Sequence, residues 1–387
     1  MTYLDNNAST PMAPTVKVEM AKAFDLYANP NGIYSQSKLA ESLFESARTS
    51  VANSLNVLES EVIFTSGSTE AITLAIWGVL LAAPVSRSKV LVSSIEHSAI
   101  IETAKVACKI TGKELIFIPA NISDSSLLGE VDVDFIHSHL DAETALIAVM
   151  AVNNETGVIQ PIESISRLAA EYDIPLLCDS TQALGKWERF LSLENRGIFM
   201  LSGHKIYGPK GVGILVLPRD LQKTFISVSP GGGQERGIRG GTLNLAGAVG
   251  IQAALEFVTI DLEQELVRQG RLRDHLLENL VEFFGESLRL NAGNAAGVVN
   301  NTLNLQFVGT DADAVLASLR SVQASRASAC SAGQEEPSHV LIAMGKSWKE
   351  AEESIRLSLG RFTTNEDIDV ASLDLVAAIS RVREFNE

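Results

Sequence analysis

The strongest constraint on the fold is an alternation of short, β-branched apolar runs with segments of helical periodicity between residues 60 and 220. Helical patterns such as residues 162–172 lie between several of these runs. Strand–helix alternation predicts an α/β fold with a mainly parallel sheet whose two faces are covered by helices. Nearly continuous apolar runs suit strands that are buried on both sides. The predicted strands occupy residues 61–65, 89–93, 114–118, 145–152, 175–178, 198–201 and 213–217.

The pattern changes near residue 250, where a second, smaller α+β domain is predicted. Residues 261–284 place leucine and phenylalanine at roughly helical spacing. A strand at residues 304–307 and a helix at residues 311–319 are predicted to follow. At about 150 residues per domain, a chain of 387 residues suits two or three domains.

Composition and charge exclude several classes of function. Lys and Arg number 31 against 47 Asp and Glu, which gives a net charge of −16. Bulk attraction to nucleic acid is therefore absent, and we expect no direct binding to it. The longest apolar stretch, residues 71–85, is shorter than the ~20 residues that a membrane span needs. It therefore predicts a buried helix, and no membrane partner is expected.

The cysteines indicate a reducing environment. There are three, none in C-x-x-C spacing, so they can build neither a disulfide framework nor a structural zinc site. No bound metal is expected. The first residues lack a basic segment followed by an apolar one, so no secretory signal is expected either. A cytoplasmic location fits best. We interpret Cys108 and Cys178 as buried small hydrophobic residues.

A turn rich in small polar residues follows the first predicted strand and precedes the apolar helix. Its sequence, Thr-Ser-Gly-Ser-Thr-Glu at residues 65–70, points backbone N–H groups and hydroxyls toward one spot at the positive end of the helix dipole. This arrangement suits a phosphate. It matches neither a Walker A loop nor G-x-G-x-x-G. The alternative is an ordinary helix N-cap with Glu70 in the first turn.

Four further strand ends carry side chains suited to chemistry: His97, Asn154, Asp179 and Lys205. Open α/β sheets bind ligands at the carboxyl ends of their strands. A lysine amine there can bond covalently to a carbonyl compound, and a buried carboxylate there requires a cation. Simpler alternatives exist, a solvated surface lysine for Lys205 and a helix N-cap for Asp179. Four such residues at strand ends are nevertheless hard to ascribe to packing.

Together with further motifs, these segments resemble the pyridoxal-phosphate-dependent cysteine desulfurases of fold type I, in the class-V aminotransferase superfamily. The matching segments follow one another in order across nearly the whole chain, and the ordered set is far more specific than any one of them. They are residues 3–8, 65–70, 96–97, 152–157, 179–182, 202–211, 231–237, 241–243, 328–330, 336–341 and 354–361.

The resemblance implies the fold type I architecture, with a mainly parallel, seven-stranded sheet sandwiched by helices and a smaller α+β domain. Residues 14–251 would form the large domain, which binds the cofactor. Residues 1–13 and 252–387 would form the small domain, which carries a mobile loop with Cys330.

The resemblance also implies a role for each site residue. Lys205 would hold pyridoxal phosphate covalently, Asp179 would pair with the protonated ring nitrogen, and Gln182 would hydrogen-bond the ring hydroxyl. His97 would stack on the ring and move protons. Asn154 would contact the ring or the substrate, and Arg356 would bind the substrate carboxylate as a bidentate clamp. The phosphate would be held by Ser68, Thr69, Ser202 and His204. Thr242 would reach the phosphate of the other subunit of a homodimer.

The implied activity is the conversion of L-cysteine to L-alanine. Cys330 would take the sulfur as a persulfide and pass it to an acceptor protein. Its neighbours are small and polar, which is typical of a mobile loop rather than a core. The alternatives are another fold type I enzyme, such as an aminotransferase or a selenocysteine lyase, and a non-catalytic scaffold.

Three features depart from the common family pattern. Tyr34 stands where a histidine is usual, Arg326 and Ala327 stand before the nucleophile where small residues are usual, and Ser68 replaces alanine in the phosphate turn. None removes a catalytic group. The departures suggest a specialised enzyme whose sulfur serves DNA phosphorothioate modification, with iron–sulfur clusters and tRNA thiolation as the other pathways.

Overall fold

The structure, a computed structural model, describes residues 1–122, 126–292, 297–326 and 336–386. Cys330 lies outside the described residues. Strands β1 to β13 are Thr2–Tyr3, Val62–Thr65, Lys89–Ser93, Glu114–Ile118, Thr144–Ala148, Leu176–Asp179, Ile198–Ser202, Gly213–Val216, Leu288–Leu290, Thr302–Phe307, Val322–Gln323, Ser325–Arg326 and Ser354–Ser358. Helices α1 to α13 are Pro14–Phe24, Ser35–Leu55, Ser68–Ala82, Ser98–Thr111, Val133–His139, Ile162–Glu171, Arg219–Gln222, Leu245–Thr259, Leu262–Phe284, Ala312–Ser318, His339–Ala343, Trp348–Glu352 and Asn365–Asn386.

The large sheet has seven strands in the order β2-β8-β7-β6-β5-β3-β4. Neighbouring strands pair in parallel except β8, which runs antiparallel to both β2 and β7. The prediction of a mainly parallel, seven-stranded sheet is therefore confirmed. The carboxyl ends of β3, β5, β6 and β7 lie along one edge, so the side chains that follow them are brought to the same side of the sheet.

Both faces of this sheet are covered. On β5, Leu146 and Ala148 join the apolar cluster that contains α3, whereas Ile147 joins the cluster on the other face. Every residue of β5, β6 and β7 is buried. Burial of both faces explains why these strands read as continuous apolar runs rather than as alternating ones.

The apolar stretch at residues 71–85 forms the buried helix that its composition predicts. In α3, Ile72 and Ile76 are 1% and 0% exposed and pack with the residues on one face of the sheet. Within the described ranges, no single helix is long and apolar enough to cross a membrane. The segments Leu245–Thr259 and Leu262–Ser287 pass that test only as a pair, with a 71° bend between them.

One predicted strand is too long. The apolar run predicts a strand over residues 145–152, but β5 ends at Ala148. On the side that faces β3 the ladder stops because the Met150 N–H donates to the Glu96 carboxylate at 2.6 Å. Asn153 then closes a turn, because its Oδ1 accepts from two backbone N–H groups that follow it. The chain therefore leaves the sheet at its carboxyl edge.

The small domain draws on both ends of the chain. Its antiparallel sheet has the order β12-β13-β10-β9, and residues of α9, α10 and α13 share its apolar cluster. Strand β1 pairs in parallel with β11, and Leu4 enters the same cluster. The strand at residues 304–307 and the helix at residues 311–319 are confirmed as β10 and α10. The assignment of residues 1–13 and 252–387 to one domain stays a prediction that this cluster supports.

A buried ion pair joins α2 to the glycine-rich loop that precedes α8. The Arg48 guanidinium donates to the Glu235 carboxylate at 2.8 and 3.0 Å, and the two side chains are 4% and 1% exposed. The same carboxylate accepts from the Phe64 N–H on β2 at 2.9 Å. Glu235 has a φ of 44°, a left-handed conformation that is uncommon for this residue type. The ion pair therefore holds the loop against the edge of the sheet.

We expect Arg48→Met to lower the free energy of unfolding by about 3 kcal/mol or more, because it leaves the Glu235 carboxylate buried without a cation. Denaturant unfolding of the full chain measures the change. Lys22→Met is the control, since it breaks a pair with Glu19 whose side chains are 66% and 44% exposed. That control should cost less than about 1 kcal/mol. Equal losses in the two variants would contradict the role of burial.

Candidate active site

A cavity at the carboxyl edge of the large sheet brings most of the predicted site residues together. Its volume is about 180 Å³. A larger cavity of about 600 Å³ lies near the opposite edge, where β6 begins, and none of the predicted residues lines it. The smaller cavity is lined by Asn7, Ala8, Ser68, His97, Met150, Val152, Asn154, Asp179, Thr181, Gln182, Lys205 and Arg356.

Lys205 lies in this cavity on the turn that follows β7. A single 3-10 turn, Gly203–Lys205, begins at the end of that strand. Glycine is required at its start, because a Cβ on Gly203 would lie 2.7 Å from the carbonyl oxygen of Pro209. The Lys205 Nζ donates to the backbone carbonyls of Asn7 at 2.6 Å and Ala8 at 2.8 Å. The N-terminal segment therefore holds the amine at a defined point of the cavity wall.

Asp179 is the last residue of β6 and is 7% exposed. Its Oδ1 accepts from the Thr181 N–H at 2.9 Å. Burial of a carboxylate to this extent is costly unless a cation lies against it. The position therefore suits a positively charged group inside the cavity.

Glu96 is a second buried carboxyl near Asp179, and sequence reasoning did not assign it to the site. Its Oε1 accepts from the Met150 N–H at 2.6 Å, and its Oε2 has no partner among the described residues. Burial raises the pKa of Glu96 to about 8, and the negative charge of Asp179 adds to the rise. Glu96 is therefore mostly protonated at neutral pH, which limits the negative charge at this end of the cavity.

His97 is the N-cap of α4 and lines the cavity. Its Nδ1 accepts from the Ala99 N–H at 3.1 Å, so a proton that the neutral ring carries resides on Nε2. His339 donates from its own Nε2 to the Glu96 backbone carbonyl at 2.9 Å. That contact fixes the backbone immediately before His97.

The predicted phosphate residues are only partly brought together. Ser68, at the N-terminus of α3, lines the cavity, whereas Thr69 and Thr242 are exposed and do not. Ser202 borders the turn at residues 65–70, because a Cβ on Gly67 would lie 3.7 Å from the Ser202 Oγ. The helix N-terminus and the Ser202 hydroxyl therefore lie next to each other beside the cavity.

His204 is also outside the cavity wall. Burial lowers its pKa to about 4, and the positive charges of Lys205 and Lys210 add to the effect. The ring is therefore neutral at pH 7, with its Nδ1 3.2 Å from the Ser9 Oγ.

Arg356 on β13 is 1% exposed, and contacts within the chain already occupy part of its guanidinium. The Nη1 donates to the Asn154 carbonyl at 2.9 Å, and the Nη2 donates to Asp5 and Ser325, both at 2.8 Å. The Nε has no partner in the described part of the chain. Asp5 therefore occupies part of the Arg356 guanidinium that the sequence predicts to bind the substrate carboxylate.

Asn7 links several site residues, although sequence reasoning gave it no role. Its backbone carbonyl accepts from the Lys205 Nζ and, at 2.8 Å, from the Gln182 Nε2. Its Oδ1 accepts from the Lys186 Nζ at 3.0 Å and the Asn301 Nδ2 at 3.1 Å. The place of Asn7 in the N-terminal motif was a signal for its importance. Lys186, four residues after Gln182, has no comparable signal.

The two described cysteines are buried, as predicted. Cys108 is 3% exposed and Cys178 is 0% exposed. Burial raises the pKa of the Cys108 thiol to about 11, and it raises that of Cys178 well above its usual value. A thiol must ionise to act as a nucleophile, so neither residue is suited to that role at neutral pH.

The residues present fit pyridoxal phosphate. Asn154 Oδ1 and Thr181 Oγ1 belong to residues of the cavity wall, are buried, and lack a partner among the described residues. An amine, a buried carboxylate and a side-chain amide surround one cavity, and a helix N-terminus lies beside it. These groups suit a pyridinium ring that carries a phosphate. Across the described ranges, no three His, Cys, Asp or Glu side chains are placed to hold a metal ion.

Comparison with known proteins identifies the family of the chain. Residues 2–370 match the family model described as aminotransferase class-V. A cysteine desulfurase from Frankia sp. (strain EuIK1) is 40% identical over all of this chain and 93% of its own length. A solved NifS-like protein superposes with a TM-score of 0.88 at 29% identity, covering 98% of this chain and 100% of its own. The crystal structure of DndA from Streptomyces lividans superposes with a TM-score of 0.77 at 30% identity, covering 92% of this chain and 99% of its own.

The pKa of Glu96 predicts how stability changes with pH. Because this pKa is about 8 in the folded chain and 4.5 in the unfolded chain, the folded state binds more protons between these values. Stability from this group therefore falls as the pH rises through that window. We expect Glu96→Gln to remove this loss of stability at high pH. The difference in unfolding temperature, variant minus unaltered protein, should therefore be more positive at about pH 8.5 than at about pH 5.

Thermal unfolding of the unaltered protein and of Glu96→Gln at both pH values checks this expectation. The control is Glu102→Gln, at an exposed position on α4, which should give a similar change at each pH. If Glu96→Gln also gave the same change at each pH, the raised pKa would be wrong.

Proposed function

The chain belongs to the class-V aminotransferase family and is a pyridoxal-phosphate-dependent cysteine desulfurase, and on this premise we propose that Cys330 takes the sulfur of L-cysteine as a persulfide and passes it to an acceptor protein. The observation that carries the proposal is that Lys205, Asp179, His97 and Gln182 all line the same cavity. We assign the residue roles below on the basis of the contacts around that cavity.

Bound pyridoxal phosphate supplies an electron sink that stabilises negative charge at the α-carbon of the substrate. Asp179 keeps the ring nitrogen protonated through its negative charge. Lys205 would hold the cofactor through its amine and would take the α-proton of the substrate at Nζ. Gln182 would donate from Nε2 to the ring oxygen.

We assign the binding of the substrate to Arg356 and Asn154. The Arg356 Nε is a donor without a partner in the described chain, which suits the substrate carboxylate. The Asn154 Oδ1 is an acceptor that also lacks a hydrogen-bond partner among the described residues, which suits the substrate amine. A second hydrogen bond from the Arg356 Nη2 to the substrate requires this nitrogen to release Asp5 or Ser325.

The sulfur transfer balances between two thiols. The Cys330 thiolate attacks the sulfur of the substrate, so that an S–S bond forms and the carbon–sulfur bond breaks with its electron pair on carbon. That carbon takes up a proton and leaves as part of alanine, and Cys330 keeps the sulfur as a persulfide. No external oxidant or reductant is required. The neutral His97 ring already carries its proton on Nε2, so we assign to it the donation of a proton from Nε2, and the Cys330 thiol loses its own proton to water.

The chain on either side of residues 327–335 is anchored at the site, which supports Cys330 as the sulfur carrier. On one side, the Ser325 Oγ accepts from the Arg356 Nη2. On the other side, the Ser338 Oγ donates to the Glu155 carboxylate. Cys330 follows Ser325 by five residues, an extended reach of at most about 18 Å.

We further propose that a second copy of the chain completes the site. Thr242 is exposed and does not line the cavity, as expected of a residue that serves the other subunit. The connection between α1 and α2 carries exposed apolar side chains, with Tyr27 at 92% and Ile33 at 94%. Both helices pack on α8, which begins three residues after Thr242. A homodimer formed through this face would remove these apolar side chains from water.

We propose DNA phosphorothioate modification as the pathway, with iron–sulfur cluster assembly and tRNA thiolation as the other two. The similarity to DndA at 30% identity supports this choice. The net charge of −16 assigns any contact with DNA to a partner protein rather than to this chain. A cytoplasmic location is proposed because thiols stay reduced there.

We expect Cys330→Ser to lower the rate of alanine formation from L-cysteine by about 100-fold or more, because a hydroxyl cannot accept the sulfur. The variant should still change the visible absorption of the bound cofactor when cysteine is added. Assays of alanine and sulfide measure the loss. Mass spectrometry of the unaltered protein after turnover should find one added sulfur on the peptide that contains Cys330.

Cys108→Ala is the matched control, because it removes a buried thiol outside the site and should keep the rate. Undiminished alanine and sulfide from Cys330→Ser would contradict the persulfide proposal. If the unaltered protein formed no alanine from L-cysteine, the substrate would be wrong.

The proposed homodimer makes a separate prediction. We expect Ile33→Glu to give a species of about half the mass in sedimentation and light scattering, because the carboxylate would be buried at the interface. Val85→Glu is the control, since Val85 is 96% exposed and follows α3 on another part of the surface. That variant should keep the dimer. A monomeric unaltered protein at micromolar concentration would contradict the proposal.

A further inference from the structure

Lys186 is a buried lysine that the function described above does not use. It is 9% exposed and lies behind the cavity wall rather than in it. Its Nζ donates to the side-chain oxygen of Gln182 and to the Asn7 Oδ1 at 3.0 Å. Both acceptors are neutral amides, so hydrogen bonds compensate the burial of the lysine but neither acceptor supplies a negative charge.

These contacts determine which way the Gln182 side chain faces. A lysine amine that carries its full set of protons can only donate, so the amide oxygen of Gln182 points toward Lys186. The opposite end agrees, because the Gln182 Nε2 donates at 2.8 Å to the backbone carbonyl of Asn7, which can only accept. The amide orientation is therefore fixed from both sides. Gln182 lines the cavity, and the second N–H of its Nε2 remains as a donor.

Lys186 acts on the lysine that tethers the cofactor through the same residue. The backbone carbonyl of Asn7 accepts from Gln182 and also from the Lys205 Nζ at 2.6 Å. Lys186 holds the side chain of Asn7, which the Asn301 Nδ2 also holds at 3.1 Å. One buried amine thus orients two residues that contact the site.

The electrostatic surroundings of Lys186 are those of a cation that lacks an anion. Burial lowers the pKa of Lys186 well below its usual value, and the positive charges of Lys205, after β7, and Arg356, on β13, add to the effect. In terms of stability alone, a buried lysine in such surroundings is unfavourable. An anionic group bound beside Gln182 would supply the missing negative charge.

We propose that Lys186 is a positioning residue, which keeps Gln182 as a hydrogen-bond donor toward the ring oxygen of the cofactor and so favours the anionic form of that oxygen. This inference rests on the proposed role of Gln182 in the desulfurase. It extends that role to a residue that does not touch the cavity.

Lys186→Met in the full-length, cofactor-loaded protein tests the inference, because methionine keeps much of the length of the side chain but removes its donors and charge. The readout is the pH midpoint of the visible absorption change of the cofactor, measured without substrate. We expect the midpoint to rise by about one pH unit, because the proton is held more tightly when Gln182 is no longer held as a donor toward the ring oxygen. The dissociation constant of the cofactor should rise by about tenfold.

Combining Lys186→Met with Gln182→Ala separates the inference from the function on which it rests. Gln182→Ala should itself raise the absorption midpoint, and Lys186→Met should add little to it if Lys186 acts through Gln182. If Gln182→Ala left the midpoint unchanged, the assigned role of Gln182 would be wrong. If Gln182→Ala moved the midpoint but Lys186→Met did not, only the inference about Lys186 would be overturned.

Two comparisons guard against a merely structural effect. Lys113→Met is the matched control, because Lys113 is a partly buried lysine that donates to the Arg87 carbonyl at 2.6 Å outside the site, and it should leave the midpoint in place. Lys186→Gln keeps a donor without the charge and should restore part of the shift. A structural role would instead lower the unfolding temperature of Lys186→Met and leave the absorption midpoint unmoved, and that result would overturn the inference.

Discussion

The site depends on one backbone group, the carbonyl of Asn7. It accepts hydrogen bonds from Lys205, which follows a strand of the large sheet, and from Gln182, which follows another. The segment that carries Asn7 is held in turn by β13 of the small domain, because the Asn7 N–H donates to the Ser358 Oγ at 2.9 Å. The reactive amine is therefore positioned by a segment that both domains fix. Without that segment, the strand ends would still lie at one edge of the sheet, but the amine would lose the two carbonyl acceptors that the segment provides.

Before a ligand binds, contacts within the chain already limit the cost of the charges in the site. Arg356 is paired with Asp5 at 2.8 Å before any substrate carboxylate arrives. Glu96 is held mostly protonated by burial, so Asp179 is not opposed by a second full negative charge. Lys186 rests on two neutral amide oxygens. Each arrangement limits the cost of a buried ion in the free protein, and each leaves room for a counter-charge from a ligand.

Most of the large domain could be predicted from local pattern, because its strands are buried on both faces and read as continuous apolar runs. Asp179 and Lys205 followed from their places at the ends of such runs. The prediction failed where a distant side chain competes with the backbone ladder. The run at residues 145–152 is cut short because the Met150 N–H donates to Glu96. The alternating Ser-Ile-Arg-Leu-Ser of β13 was not predicted as a strand, since its polar residues are buried only through contacts with other parts of the chain.

The contacts that complete the site also set the order in which it can form during synthesis. Asn7 leaves the ribosome early, whereas Ser358, which fixes its backbone, lies 351 residues further along the chain. The nascent large domain can assemble its sheet as it emerges, yet the backbone of Asn7 is fixed beside the Lys205 amine only after β13 has been translated. In a ribosome-bound or prematurely terminated chain that lacks β13, the Asn7 backbone would therefore not be fixed by Ser358. Turnover of cysteine would therefore not begin before the polypeptide is nearly complete.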